Sequence, residues 1–535
     1  MTERSVGTDA GEVSRLFDVQ AYVEDFGEIV DAYASARDGE LGADRGVARS
    51  IVPPGTAAGR DFSRLALRIP ALVADRCVGC MACVSACPDS AIFATVQPES
   101  AIAQRVAALP EGSTEDPMSH FTRTRKYSEV PAKRGLEPAL FGLFVDPVHC
   151  KGCGECVAVC DDLGHRALEM VDKAPAGADP APTIARYQEG IRFLHTLPVT
   201  PEAYRNEKAL ADLMLGEHAF GYVGGAGSCS GCGEGTAIRM LVAATRQMYG
   251  PEGMGIVAAT GCNTVFAGTY PYNPYLVPWT NSLFENAPAD ALGIRARWDQ
   301  AGHSDRRLWV LGGDGAMYDI GFQSLSRMVA SGADIKVLVL DGQVYSNTGG
   351  QSSTASFGGQ VTKLSAYGKA LHGRPERRKE LGRILMAHGD VFVAQTTPAH
   401  LNHFYRAILD ANTYPGPAVV IVYTACMPEH GIADDAAARQ AKLAVDSRAF
   451  PLFVYDPRKG PTTRERLSLQ GNPDIKDDWS RFPDGAVVDF LTFARTEGRF
   501  APHFGPDGTA TAEIRATLED RLANWRGLQE MARLP

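Results

Sequence analysis

The chain has 535 residues, 45% of them hydrophobic and 22% charged, with a formal net charge of −10. That composition is ordinary for a globular protein and supplies no overall basic field for nucleic acid. No apolar run reaches the ~18 residues of a membrane-crossing helix, and the opening MTERSVGTDAGEV lacks the apolar core of a signal peptide. The expectation is a cytoplasmic protein of about three domains at roughly 150 residues each, with no nucleic-acid or membrane partner.

Residues 1–66 read as an N-terminal helical segment and linker. An acidic, partly helical stretch around 13–37 is expected to be a solvated amphipathic helix, and the Gly/Pro/Arg-rich stretch 49–62 an extended connector. No motif applies to 1–48.

Cysteine usage is the strongest compositional signal. All 12 cysteines fall into three sets of four, and a long cytoplasmic chain is a poor setting for a disulfide framework. CVGCMACVSACP at 77–88 and CKGCGECVAVC at 150–160 both have C-x2-C-x2-C-x3-C spacing, the bacterial two-cluster ferredoxin pattern. Three close thiolates grip three irons of one cubane, and the fourth cysteine crosses to the other cluster. Cys77, Cys80, Cys83 and Cys160 are then one 4Fe–4S set, and Cys150, Cys153, Cys156 and Cys87 the other. Zinc is the rival, but its sites usually split two close pairs of ligands. Asp161 stands where a proline usually follows the last cysteine. The expected fold over 67–173 is an α+β ferredoxin-like domain, with 97–140 a polar surface insertion.

Residues 174–220 read as a connection: a Pro/Ala-rich linker at 174–184, then a helical stretch at 190–216. GGAGSCSGCGEGTAIR follows at 224–239. Its CxxC, Cys229 and Cys232, fits either a redox-active or a zinc-binding pair. Cys262 follows a strand at 256–259 and Cys426 another at 418–423. Strand ends on one sheet edge can bring these four together, but buried cysteine is also ordinary core.

The stretch 311–351 reads LGGDGAMYDIGFQSLSRMVASGADIKVLVLDGQVYSNTGGQ. Apolar runs at 308–311 and 336–340 each end in a polar, glycine-bearing loop. The segment between them has helical spacing at Ile320, Leu325, Met328 and Val329. This strand–loop–helix–strand–loop unit predicts a doubly wound, mainly parallel α/β sheet with both loops at its ligand-binding carboxyl edge. Asp314 offers a hard oxygen to magnesium, although GGDG alone also reads as an Asp-Gly turn. From Arg458 onward the sequence is polar, with short helical runs, and reads as a C-terminal extension over 458–535.

The stretches IPALVADRCVGC, GSCSGCGE, ATGC, WTNSLFEN, GGDGAMYDIGF, VYSNTGGQSS and PLFVYDPRKG resemble the C-terminal half of pyruvate:ferredoxin oxidoreductase and its 2-oxoacid relatives. The resemblance spans about 50–460 and implies a thiamine diphosphate-binding domain over 221–457. It implies a third 4Fe–4S cluster on Cys229, Cys232, Cys262 and Cys426, beside the thiamine. It gives Glu234 and Asn347 as catalytic contacts to the cofactor. Asp314 and the backbone of Val344 become magnesium ligands, and Gly313 and Gly315 let the backbone approach the diphosphate. One departure is Gly342, where the family usually has a side-chain oxygen for magnesium.

The implied activity is coenzyme A-dependent oxidative decarboxylation of a 2-oxoacid, pyruvate above others, with electrons passed to ferredoxin or flavodoxin and the reaction reversible. The family's other half carries the aminopyrimidine-binding domain, so an alpha- or gamma-type partner subunit is expected. The alternatives are an electron-transfer subunit with a degenerate thiamine domain, or an enzyme for 2-oxoglutarate or another oxoacid.

Overall fold

The computed structural model describes residues 19–41, 52–109 and 116–533. Five strands come first: β1 (Arg68–Leu72), β2 (Ile92–Pro98), β3 (Phe121–Thr122), β4 (Ala139–Val145) and β5 (Leu168–Asp172). β1 and β5 pair antiparallel, and β2, β4 and β3 form a second small antiparallel sheet. The two cysteine motifs lie between these strands and mirror each other. Gly79 and Gly152 hold the same place in CVGC and CKGC, and both adopt φ of +69°. Each motif then enters a helix, Ala82–Ala86 or Glu155–Asp162, and the two helices pack together.

The larger body holds β6 (Met254–Ala259), β7 (Trp279–Ser282), β8 (Arg307–Gly313), β9 (Ile335–Asp341), β10 (Phe392–Thr396), β11 (Ala418–Tyr423), β12 (Phe453–Tyr455) and β13 (Leu467–Ser468). Their order across one sheet is β13-β12-β10-β11-β9-β8-β6-β7. The six strands from β10 to β7 run parallel, and β12 and β13 close one side antiparallel. Strand residues alternate between two separate cores. Val310, Val337, Val339 and Ile421 face one layer of helices, and Trp309, Leu338, Leu340 and Val422 face the other. A sheet covered on both faces needs continuous apolar strands, which is how β8, β9 and β11 read in sequence.

Five stretches differ, wholly or in part, from their sequence reading. Ile320 precedes the helix Phe322–Ala330 and is 52% exposed, ending a wide turn at Gly315–Ile320. The segment 97–140 is more than a surface insertion, because Phe121 and Tyr127 are buried and Tyr127 stacks on Phe141. The helix Val19–Ala34 is not merely solvated: Phe26, Ile29 and Ala32 are buried, and Phe26 and Tyr33 meet the Tyr270 ring edge-on. The connector reading of 49–62 holds in part, since Thr56–Gly59 forms a helical turn bonded to Asn273, with the preceding Gly55 bonded to Tyr275; residues 49–51 lie outside the described ones. The polar C-terminal stretch contains a 21-residue helix, Ala512–Ala532, whose Trp525 is buried under the Arg448 guanidinium. Its polar surface hid a core contact made by few residues.

Two histidines beside β10 give this body an acid-sensitive seam. His400 and His403 bond the hydroxyls of Thr397 and Thr396, and burial pushes each imidazole down to about 4. Between pH 6.5 and 4 the unfolded chain takes up protons that the folded chain refuses, so stability falls as the pH falls. The loss is at most about 3 kcal/mol per ring. Thermal melts across that window should steepen for the native chain and flatten when His400→Asn and His403→Gln are combined.

Candidate active site and cluster ligands

β6, β8, β9 and β11 are neighbours in the sheet and finish along one edge. Gly313 pairs with Leu340, and Asp341 with Tyr423, so the loops after β8, β9 and β11 emerge side by side. Cys262 opens the helix that follows β6, and Cys426 stands three residues past β11. Cys229 and Cys232 arrive on the loop before the helix Gly233–Tyr249, where the Gly233 N–H donates to the Ala425 carbonyl at 3.2 Å. The four cysteines converge. With Glu234, Ser346 and Asn347 they line one cavity of about 110 Å³.

Burial and the nearby Glu234 carboxylate push the Cys232 and Cys262 thiols up, and burial pushes Cys426 to about 11. Cys229 and Cys232 share their cavity with Cys262 and Cys426, so the pair stands in a set of four sulfurs and not as an isolated CxxC. Such thiolates suit a cationic metal cluster, whose charge deprotonates its ligands. Glu234 is itself pushed up to about 7 by burial, against one backbone N–H from Asn263. Its Oε2 atom is buried without a hydrogen-bond partner among the described residues.

Asp314 begins the loop after β8 and is buried, accepting a hydrogen bond from Ser353 Oγ. Burial, then the neighbouring Asp341 and Asp319, push its carboxyl well above the usual range. Asp341 is paired with Arg378, whereas the Asp314 Oδ1 atom faces Gly342. A Cβ on Gly342 would lie 3.9 Å from that oxygen and 3.6 Å from Ser346 Oγ. The space over Gly342 is thus bounded by oxygens, a donor set that fits a hard cation. Gly315 is fixed for a different reason: a side chain there would strike the Tyr345 ring. No such contact restrains Gly313, whose Cβ would meet only the Leu340 carbonyl, at 3.9 Å.

The loop after β9 is held from beneath. Gln343 takes a left-handed φ of +54°, and its Nε2 donates to the Asp341 carbonyl at 2.6 Å. His430 Nε2 donates to the Gly342 carbonyl at 2.8 Å, while His430 Nδ1 accepts the Cys426 N–H at 3.4 Å. Burial and Arg499 hold that imidazole neutral, well below its ordinary range. Arg499 Nη2 donates to Gln343 Oε1 at 3.0 Å and pairs with the fully buried Glu497 at 2.5 Å. Val344 is buried inside this cage, and Asn347 is exposed at its rim. Sequence reasoning missed Ser353, Gln343, His430, Glu497 and Arg499. Only His430 carried a local signal, one helical turn after Cys426.

The structure brings the last cysteine of the second N-terminal motif beside the first motif. Cys77, Cys80, Cys83 and Cys160 line one cavity together. The charges acting on Cys156 are those of Cys153, Cys150 and Cys87, followed by Cys83 of the other set. Backbone N–H groups of Ala91 and Ala167 donate to the Cys87 and Cys160 sulfurs at 3.3 and 3.2 Å.

Residues 76–162 match the family model of the 4Fe-4S dicluster domain, and residues 259–422 that of the C-terminal TPP-binding domain of thiamine pyrophosphate enzymes. The chain joins a dicluster domain to a thiamine domain. It is 31% identical over 474 residues to the probable pyruvate-flavodoxin oxidoreductase of Escherichia coli, covering 76% of this chain and 38% of that protein. It is 29% identical over 508 residues to the pyruvate:ferredoxin oxidoreductase of Moorella thermoacetica, covering 80% of this chain and 39% of that one. The chain therefore spans about two fifths of the length of these relatives. A solved 2-oxoglutarate:ferredoxin oxidoreductase from Magnetococcus marinus aligns at 22% identity with a TM-score of 0.33, over 38% of this chain and 65% of that one. Among the described residues no helix is long and apolar enough to cross a membrane.

Proposed function

We propose that this chain is the thiamine- and cluster-bearing part of a 2-oxoacid:ferredoxin or flavodoxin oxidoreductase. The overall reaction converts a 2-oxoacid and coenzyme A to acyl-CoA and carbon dioxide, and runs in both directions. The observation that carries this reading is the single cavity in which Cys229, Cys232, Cys262 and Cys426 meet Glu234 and Asn347, beside the Asp314 loop. Bound there, thiamine diphosphate would supply an electron sink for decarboxylation, and the clusters would accept the two released electrons one at a time.

The chain's own residues have separable tasks. Asp314 and the Val344 carbonyl would hold magnesium, with Gly313 open to the diphosphate, while Ser353 orients the Asp314 carboxylate. Glu234 would offer its unpartnered oxygen to the cofactor, and Asn347, exposed at the rim of the same cavity, would contact it there. Residues 67–173 form the electron module and 221–457 the thiamine module, bearing three clusters between them. Gly342 favours the rival reading, a thiamine domain retained only as a scaffold. Bound thiamine diphosphate in the purified chain would dispose of that rival.

A partner completes the site. Val265, which lines the cavity from the helix opened by Cys262, is 47% exposed, and Leu283 and Ile320, on segments after β7 and β8, are 60% and 52% exposed. These suit a second polypeptide bearing the aminopyrimidine-binding domain. The isolated chain, supplied with clusters, magnesium and thiamine diphosphate, should not reduce a viologen dye with any 2-oxoacid. Adding the partner should restore reduction, and robust turnover by the chain alone would refute the shared site.

A further inference from the structure

Lys151 stands where the two modules meet. It directly follows Cys150, and its side chain is 9% exposed. Nζ donates to the carbonyls of Ala226 at 2.9 Å and Ser228 at 2.7 Å, and to Ser228 Oγ at 3.0 Å. It also pairs with the buried Asp89 carboxylate at 2.7 Å, under the Phe62 ring. Asp89 lies two residues after Cys87, and Ser228 directly precedes Cys229. One ammonium thus ties together the backbone beside two ligands of the dicluster set and one ligand of the thiamine-side set.

Adhesion between the modules does not require this knot. Arg239 already donates to the carbonyls of Val84 and Ser85, Thr236 to that of Ala86, and Ser90 to that of Tyr222. A buried ion pair is also a weak source of stability, since an apolar pair of similar volume often serves as well. What the pair adds is geometry. Its acceptors saturate all three ammonium hydrogens, fixing how far the Cys229 segment sits from Cys87 and Cys150.

Resting on the cluster assignment above, we propose that Lys151 is a positioning residue for electron passage from the thiamine-side cluster to the cluster of Cys87, Cys150, Cys153 and Cys156. In that step the first cluster loses one electron and is oxidised, the second gains it and is reduced, and no bond breaks. Passage falls off exponentially with separation, so a loosened Cys229 segment slows it steeply.

The test uses the full chain reconstituted with iron and sulfide, reduced with dithionite and read by electron paramagnetic resonance. In Lys151→Met the spin–spin interaction between the two reduced clusters should weaken. The receiving cluster should also become harder to reduce, because Asp89 is left as an uncompensated negative charge. The double variant Lys151→Met, Asp89→Asn removes that charge; it should keep full iron content and native thermal stability, yet still show the weakened interaction. An undiminished interaction in the fully loaded double variant overturns the proposal. Native chain with iron for only two clusters overturns the cluster assignment instead, so the two failures are distinguishable.

Discussion

Asp314→Ala should abolish thiamine diphosphate retention while leaving the dicluster centres intact. Replacing even an outer partner of a metal ligand typically costs roughly 10–100-fold in affinity, so loss of this carboxylate should cost more than about a hundredfold. The site offers no charged substitute: Asp341 is committed to Arg378, and Asp319 accepts from Thr354 and Tyr345. The fold should tolerate the change, because the buried acid is held high by burial and by Asp341, and its removal relieves that repulsion. Calorimetry with magnesium and thiamine diphosphate reads the affinity, and visible absorbance reports the iron–sulfur content. Cofactor binding unchanged in the variant would place the diphosphate elsewhere.

Cys262→Ala should remove one cluster and only one. Complete loading of three 4Fe–4S sites corresponds to about twelve irons and twelve sulfides per chain, and the variant should fall to about eight. Cys262 shares its cavity with the other three thiamine-side cysteines and with none of the dicluster set. The dicluster signal should therefore survive. A native chain holding only about eight irons would strike the thiamine-side cluster from the assignment.

The parts of this architecture that could be read from the sequence are those whose partners are close in the chain or whose strands are buried on both faces. The C-x2-C-x2-C-x3-C spacing places three ligands within seven residues, and the ferredoxin rule carries Cys160 across. β8, β9 and β11 are apolar throughout because helices cover both sides of the sheet, so their boundaries and the loops after them were legible. Gly315 was expected for close approach to the diphosphate, yet the contact that fixes it is the Tyr345 ring. The support beneath the site was not legible. Gln343 and Arg499 are 156 residues apart, and a polar side chain destined for burial carries no periodic mark. The same holds for Lys151, whose place between two cysteines of CKGC gave no hint of its reach to Ser228.

The buried Glu497–Arg499 pair has a consequence for the order of events during synthesis. Every dicluster cysteine lies before residue 161, and the strands around them are complete by Asp172. That module can fold as it leaves the ribosome, in keeping with the general tendency of N-terminal units to fold first. The loop over Gly342 is different, because its final braces emerge only some 150 residues later. At roughly 5–20 residues per second, the Gly342 loop stays unbraced for about 8–30 seconds after its own residues have been translated. Iron–sulfur assembly on the first two sites can proceed on the nascent chain, whereas the loop over Gly342 must wait for Glu497 and Arg499.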